Sequence, residues 1–176
     1  EADEISCESV VFPRQEKVRI AVAKDNAFCF YYEDSLEALR EMGADTIEFS
    51  PTHDKKLPEN IHGLYLGGGY PELYARQLSE NKTMRESVRN ALQNGIPCIA
   101  ECGGFMYLME SIGDYPMVGN LSGNCFDKGK LTRFGYVTLR AKKDNMLCKA
   151  GEEIPAHEFH HWDCTQPGND FKATKS

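Results

Sequence analysis

The fold is indicated most clearly by the stretch Ile96-Pro97-Cys98-Ile99-Ala100-Glu101-Cys102-Gly103-Gly104 and the apolar residues that follow it. Residues 96–100 predict a buried strand, and residues 105–109 predict a helix. A cysteine between them, with small residues two positions before and after it, has the pattern of a nucleophile elbow. An elbow places its nucleophile at the amino end of a helix, where the helix dipole favours a thiolate.

Cys102 is therefore the predicted nucleophile. The N–H of Gly103 is predicted to point at a developing oxyanion. A buried structural cysteine beside a Gly-Gly turn is the plain alternative, and it is the preferred interpretation of the other cysteines.

Strands and helices alternate through the first part of the chain. Strands are predicted at residues 18–23, 46–49 and 63–66, and amphipathic helices after Asp34 or Ser35, after Pro71 and over residues 84–93. Beyond Gly113 the pattern changes to short β-like runs at residues 115–118 and 134–140. These patterns predict an α/β fold with a mostly parallel central sheet, helices on both faces and some antiparallel strands late in the chain.

The bulk composition excludes several functional classes. The 176 residues are 41% hydrophobic and carry a net charge of -7 without a basic stripe, so nucleic acid is not an expected partner. No apolar run approaches the ~20 residues of a membrane helix. Seven cysteines at scattered spacings predict reduced thiols in a cytoplasmic protein. Residues 1–16 are predicted to be a linker or the tail of a preceding domain, and residues 17–176 one domain.

A second glycine-rich turn follows the predicted strand at residues 63–66. It reads Gly67-Gly68-Gly69-Tyr70-Pro71-Glu72, and glycines there allow backbone N–H groups to turn toward an anion or a carbonyl oxygen. The chain lacks the GxxxxGK[ST] phosphate loop, which makes a phosphate site a weak alternative. Parallel strands end at one edge of a sheet, so Gly68 or Gly69 is predicted to supply a second oxyanion donor beside Cys102.

Three of the five histidines lie in the stretch His157-Glu158-Phe159-His160-His161-Trp162-Asp163. If this stretch is a strand, Glu158 and His160 lie on one face and His157 and His161 on the other, and one histidine can act as the base for Cys102. Glu158 would then orient the ring. If it is a helix, His157-Glu158-x-x-His161 matches the HExxH motif of a zinc hydrolase, which also needs a further carboxylate ligand.

The chain also resembles the glutamine amidotransferase domain of cobyrinic acid a,c-diamide synthases of the CobB/CbiA type. The resemblance rests on matches that follow the family's order: Ile20-Ala21-Val22-Ala23-Lys24-Asp25, Ala27-Phe28-x-Phe30-x-Tyr32, Phe49-Ser50-Pro51, Gly63-Leu64-Tyr65-Leu66-Gly67-Gly68-Gly69-Tyr70-Pro71-Glu72, Ala100-Glu101-Cys102-Gly103-Gly104-Phe105-Met106-Tyr107-Leu108, Arg133-Phe134-Gly135-Tyr136 and His157-Glu158-Phe159-His160.

The resemblance implies the flavodoxin-like fold of class I glutamine amidotransferases, with Cys102 as nucleophile and His160 as its partner. The family's last motif usually continues with Tyr-Ser, where this chain has His161 and Trp162. His161 with Asp163 mimics the His-x-Glu of other class I amidotransferases, so His161 stays open as the base.

The resemblance further implies a reaction in cobalamin biosynthesis. The domain would hydrolyse glutamine and pass ammonia to an N-terminal synthetase domain, which amidates the a and c carboxylates of a corrinoid with ATP and Mg²⁺. No cofactor or metal is implied for the glutaminase domain itself. A nickel sirohydrochlorin substrate, and a non-catalytic module that only docks a synthetase, remain alternatives.

Overall fold

The computed structural model describes residues 18–175 of the chain. The predicted linker at residues 1–16 lies outside the described residues. Among residues 18–175, no helix combines the length and the apolar character needed to cross a membrane.

A parallel sheet forms the centre of the first part of the chain. Its strands lie in the order β2-β1-β3-β4, and each pairs with its neighbour in parallel. They are β1 (Val18–Ala23), β2 (Ala44–Phe49), β3 (Gly63–Leu66) and β4 (Cys98–Ala100). The predicted α/β class with its parallel sheet is confirmed, and the carboxyl ends of β3 and β4 lie next to each other.

Helices connect these strands, as the alternation predicts. The structure has α1 (Glu33–Glu41), α2 (Ala75–Glu80), α3 (Lys82–Gln93) and α4 (Gly103–Leu108), and a 3₁₀ turn at Pro71–Tyr74 precedes α2. The predicted cap of α1 by Asp34 or Ser35 is wrong. The helix is capped two or three residues earlier, at Tyr32, whose backbone oxygen accepts from the N–H groups of Ser35 and Leu36.

One hydrophobic core supports the parallel sheet. Leu66 of β3, Val88 of α3 and Tyr107 of α4 are fully buried in it, and Phe28 meets the Tyr107 ring edge-on at 5.4 Å. Burial of each such side chain stabilises the fold by roughly 1.5–3 kcal/mol. The core therefore fixes the turn after β4, where α4 begins.

The later strands form two further sheets. One has the order β10-β7-β5-β6 and the other β11-β8-β9. Their members are β5 (Ser111–Ile112), β6 (Tyr115–Pro116), β7 (Asn124–Asp127), β8 (Arg133–Ala141), β9 (Glu153–His160), β10 (Trp162–Cys164) and β11 (Phe171–Lys175). The pairs β8–β9, β8–β11, β7–β10 and β5–β6 are antiparallel, which confirms the change of pattern beyond Gly113.

The β10-β7-β5-β6 sheet is attached to the same core. Ile112 and Cys125 are members of the core, and Trp162 and Cys164 pack against it. Because β10 follows β9 after one residue, this contact holds the end of β9 near the body of the domain. The predicted strand at residues 115–118 is shorter than expected, since Met117 and Val118 are buried outside any strand.

Candidate active site

Cys102 occupies a strained backbone position between β4 and α4. Its φ is +48° and its ψ is −107°, a conformation that L-residues rarely adopt and that active sites often retain. The neighbouring glycines are required sterically. A Cβ on Gly104 would lie 2.1 Å from the backbone oxygen of Leu66, and a Cβ on Gly103 would lie 2.8 Å from Cδ of Pro71. The elbow predicted at Cys102 is therefore present.

The surroundings of the Cys102 thiol do not favour a thiolate in the free protein. Dehydration by the surrounding protein atoms raises the pKa of the thiol, and the nearby carboxylates of Glu72 and Glu101 raise it further. The backbone N–H groups of Gly103 and Gly69 lower this pKa, but by less. The expectation that the helix end makes Cys102 a thiolate is wrong, because dehydration outweighs the two N–H donors.

The glycine-rich turn after β3 is held against the elbow by the bond from the Gly104 N–H to the Gly67 oxygen, and against the segment after β1 by two further backbone hydrogen bonds. The Tyr70 N–H donates to the Ala27 oxygen, and the Phe30 N–H donates to the Gly68 oxygen, both at a distance of 3.0 Å. Gly69 has a φ of +155°, and a Cβ there would lie 2.2 Å from the Ala27 oxygen, so only glycine fits. Of the two predicted donors in this turn, Gly69 is the one whose backbone N–H lowers the pKa of the Cys102 thiol.

The histidine stretch is a strand and its continuation. Exposure alternates along β9, with Glu158 and His160 half-buried and His157 and Phe159 exposed. The helix that a HExxH zinc site needs is not formed by these residues. Within residues 18–175, no cluster of three His, Cys, Asp or Glu side chains is arranged to hold a metal ion.

The His160 ring is oriented by a backbone carbonyl. Its Nδ1 lies 2.6 Å from the backbone oxygen of Trp162, and a carbonyl only accepts, so Nδ1 carries the hydrogen. In the neutral ring, Nε2 is then free to accept a proton. Glu158 does not orient the ring as predicted, because its carboxylate accepts instead from Arg133 Nη1 at 3.2 Å.

Sequence reasoning missed the role of Trp162, since any residue at that position provides the same carbonyl. The one-residue break between β9 and β10, which places this carbonyl beside the ring, is visible only in the structure.

Cys102 and His160 line one cavity of about 780 Å³. Its walls also include Glu158, Arg133 and Trp162, and its size falls in the range of small-molecule sites. No hydrogen bond joins the Cys102 sulfur to the His160 ring among the described residues. The structure thus places the two side chains around the same space without a hydrogen bond between them.

Glu72 is a charged neighbour of the site that the sequence analysis did not single out. Dehydration raises the pKa of its carboxyl, the nearby Asp127 raises it further, and the charge of His161 lowers it. The carboxylate also acts on the Cys102 thiol, as described above. Its place in the motif Gly67–Glu72, directly after Pro71, was the available signal.

His161 lacks the acidic partner that the sequence suggested. Its side chain is exposed, and Asp163 binds Lys128 Nζ at 2.5 Å. The resemblance of His161-x-Asp163 to a His-x-Glu pair is therefore not reproduced by contacts in the structure.

Curated relatives match most of the chain. The cobyrinate a,c-diamide synthase of Caldanaerobacter subterraneus subsp. tengcongensis is 50% identical over 153 residues, which are 84% of this chain and 34% of that protein. The cobyrinate a,c-diamide synthase of Clostridium acetobutylicum is 50% identical over 147 residues, covering 84% of this chain and 33% of that protein. The chain thus spans about a third of the length of these relatives.

The fold is shared with a solved structure. The structure of PurLQS from Thermotoga maritima superposes with a TM-score of 0.64 over 92% of this chain and 76% of that chain, at 18% sequence identity. The family model of the CobB/CobQ-like glutamine amidotransferase domain matches residues 19–175. The chain therefore belongs to the CobB/CobQ-like glutamine amidotransferase family, whose members use glutamine as an amide donor.

Proposed function

We propose that this chain is the glutaminase part of a cobyrinate a,c-diamide synthase and that it releases ammonia from glutamine through Cys102 and His160. One observation carries the proposal: a strained elbow cysteine lies beside the backbone N–H groups of Gly69 and Gly103 and lines a cavity that also contains a histidine. That combination serves acyl transfer from a carboxamide, since such a reaction needs a nucleophile, an oxyanion site and a base.

In the first step, the sulfur attacks the side-chain carboxamide carbon of glutamine. His160 Nε2 takes the thiol proton, because the raised pKa keeps Cys102 protonated in the free protein. The N–H groups of Gly69 and Gly103 stabilise the oxyanion, and one such donor is typically worth roughly 3 kcal/mol. Gly68 shapes the same turn while its carbonyl remains bound to Phe30.

In the second step, His160 returns the proton to the leaving ammonia and a glutamyl thioester remains on Cys102. His160 then activates water, which releases glutamate and the free thiol. The Trp162 carbonyl holds the ring through Nδ1 in both steps, and it stabilises the imidazolium that forms when Nε2 is protonated. Sulfur and Nε2 must come within hydrogen-bond reach for transfer, and catalytic contacts of this kind commonly tighten when substrate binds.

In our proposal, the amidation is done by a synthetase domain in the part of the relatives that lies outside the matched region. The relatives are about three times as long as the matched region, and their name specifies cobyrinate and its a and c amides. In our proposal, ATP and Mg²⁺ are bound by that synthetase domain, and the corrinoid carboxylates receive the ammonia there. The glutaminase domain holds neither cofactor nor metal.

Glutamine hydrolysis by variants tests the proposal. Replacement of the nucleophile in Cys102→Ala should abolish glutamate release, and the matched variant Cys29→Ala, at another exposed cysteine, should retain it. His160→Ala should lower kcat by about 10²–10⁴-fold, the usual contribution of a general acid–base group, while His161→Ala should have a small effect. Glutamate release by Cys102→Ala, or a larger loss in His161→Ala than in His160→Ala, would refute the assignment.

A further inference from the structure

A second pair of cysteines lies in the wall of the same cavity. Cys125 of β7 and Cys164 of β10 are direct partners in the antiparallel register, and both line the cavity. Residues directly opposite each other in an antiparallel pair carry their side chains on the same face of the sheet. The two thiols therefore lie side by side, although they are 39 residues apart in sequence.

The backbone contacts show that the two cysteines form a close, non-hydrogen-bonded pair. The neighbouring pair is hydrogen-bonded, since Thr165 N–H donates to the Asn124 oxygen at 3.0 Å. The Cys125 oxygen accepts from Gly113 on the opposite side of β7, and the Cys164 N–H is bound by the Asp163 carboxylate.

Hydrogen-bonded and non-hydrogen-bonded pairs alternate along such a ladder, and the latter have Cα atoms about 4.5 Å apart. A disulfide spans Cα distances of about 4.4–6.8 Å, so a bond between these residues needs no backbone rearrangement.

The two thiols differ in their access to solvent. Cys164 is half-buried, whereas Cys125 is 1% exposed. Dehydration raises the pKa of Cys125 to about 12, with smaller contributions from Cys164 and Asp163, and dehydration also raises the pKa of Cys164. Both thiols are therefore protonated at neutral pH, and Cys164 is the one that a small molecule in the cavity reaches first.

We propose that Cys125 and Cys164 form a redox-active dithiol, which a small-molecule disulfide such as oxidised glutathione converts into a disulfide between β7 and β10. Cys164 loses its proton and attacks one sulfur of oxidised glutathione, which forms a mixed disulfide and releases one glutathione thiolate. Cys125 then loses its proton and attacks the Cys164 sulfur, which forms the protein disulfide and releases the second thiolate. In total, two protein thiols are oxidised and one glutathione disulfide is reduced. The two protons from Cys164 and Cys125 go to the two released glutathione thiolates.

The proposed bond would close a loop around the β8–β9 hairpin. Residues 126–163 lie inside this loop, and they include His160 and the Trp162 carbonyl that holds its ring. A cross-link at this place reduces the conformational entropy of the unfolded chain and so stabilises the folded domain. The dithiol does not depend on the proposed glutaminase reaction, because it follows from the strand register and from the access of Cys164 to the cavity.

Mass spectrometry after incubation with oxidised glutathione tests the dithiol. The intact protein should lose two hydrogen atoms and two titratable thiols, and its melting temperature should rise. Digestion after Glu and Asp places Cys102, Cys125 and Cys164 in different peptides. Under non-reducing conditions, the peptides that contain Cys125 and Cys164 should be joined.

Two variants and a second probe complete the experiment. Cys164→Ser should lose the disulfide, and the matched variant Cys148→Ser, at another half-buried cysteine, should retain it. Phenylarsine oxide, which bridges neighbouring thiols, should bind wild type with a stoichiometry of one and lose this binding in Cys164→Ser. A bond between Cys102 and Cys164, glutathione adducts without a protein disulfide, or arsenical binding that survives in Cys164→Ser would overturn the proposal.

Discussion

Replacement of Gly104 by alanine should damage both the stability of the domain and its nucleophile. The new Cβ would lie 2.1 Å from the Leu66 backbone oxygen and 2.6 Å from the Leu66 carbonyl carbon. Ordinary contact begins near 3.4 Å, so α4 and β3 must separate by roughly 1.3 Å. Leu66 is fully buried, and its oxygen already accepts from the Glu101 N–H, which leaves little freedom for such a shift.

The cost of the Gly104→Ala substitution follows from these contacts. Overpacking costs about 1–3 kcal/mol, and a weakened backbone hydrogen bond adds about 1 kcal/mol. For a domain of this size, ~3 kcal/mol lowers the melting temperature by roughly 6–12 °C. The shift also moves Cys102 away from the Gly69 N–H, so labelling of Cys102 by a glutamine-like electrophile should slow.

Thermal unfolding and the labelling rate measure both effects. Gly63→Ala is the matched control, because its Cβ would meet ordinary contacts at 3.7 Å and 3.8 Å within the same strand, β3. That variant should unfold within a few degrees of wild type and label at the wild-type rate. If Gly104→Ala matched wild type in both measurements, the steric account of the elbow would be refuted.

The remaining predictions concern protonation and a buried cation. The rate at which iodoacetamide alkylates Cys102 in the free protein should increase only at a higher pH than for an ordinary thiol, since the pKa of Cys102 is raised. An increase of this rate at a lower pH than for an ordinary thiol would contradict the raised pKa. With a raised pKa, the folded state binds the thiol proton more tightly than the unfolded state does. The free energy of unfolding should therefore fall as pH rises above the ordinary thiol pKa, which urea unfolding at several pH values would measure. Arg85→Ala should cost about 2–4 kcal/mol in urea unfolding, because Arg85 donates to the buried oxygen of Met117 and to the half-buried oxygen of Ser79. Glu86→Ala, at an exposed neighbour, should cost little, and equal losses would count against the contacts.

Local patterns predicted the parts of the site that depend on short stretches of chain. The apolar run before Cys102 and the glycines after it determine the elbow, because the steric requirement lies within a few residues. The alternation at residues 153–160 likewise determines which histidine faces inward. Both features survive in the structure because nothing distant has to change the backbone there.

Predictions that depend on distant partners were less accurate. The raised pKa of Cys102 depends on its dehydration and on Glu72, which come together only when the turn after β3 packs against the elbow. Glu158 was expected to orient His160, but the pairing of β8 with β9 brings Arg133 to it. Charge partners and carbonyl contacts across sheets are set by register, and one sequence does not reveal that register.

Covalent trapping by a glutamine analogue tests whether Cys102 is the nucleophile. Diazo-oxo-norleucine should form one adduct on the protein, peptide mapping should place it on Cys102, and glutamine should slow its formation. An adduct on another cysteine while Cys102 remains free, or labelling of Cys102 that glutamine does not affect, would contradict the claim that this sulfur attacks glutamine.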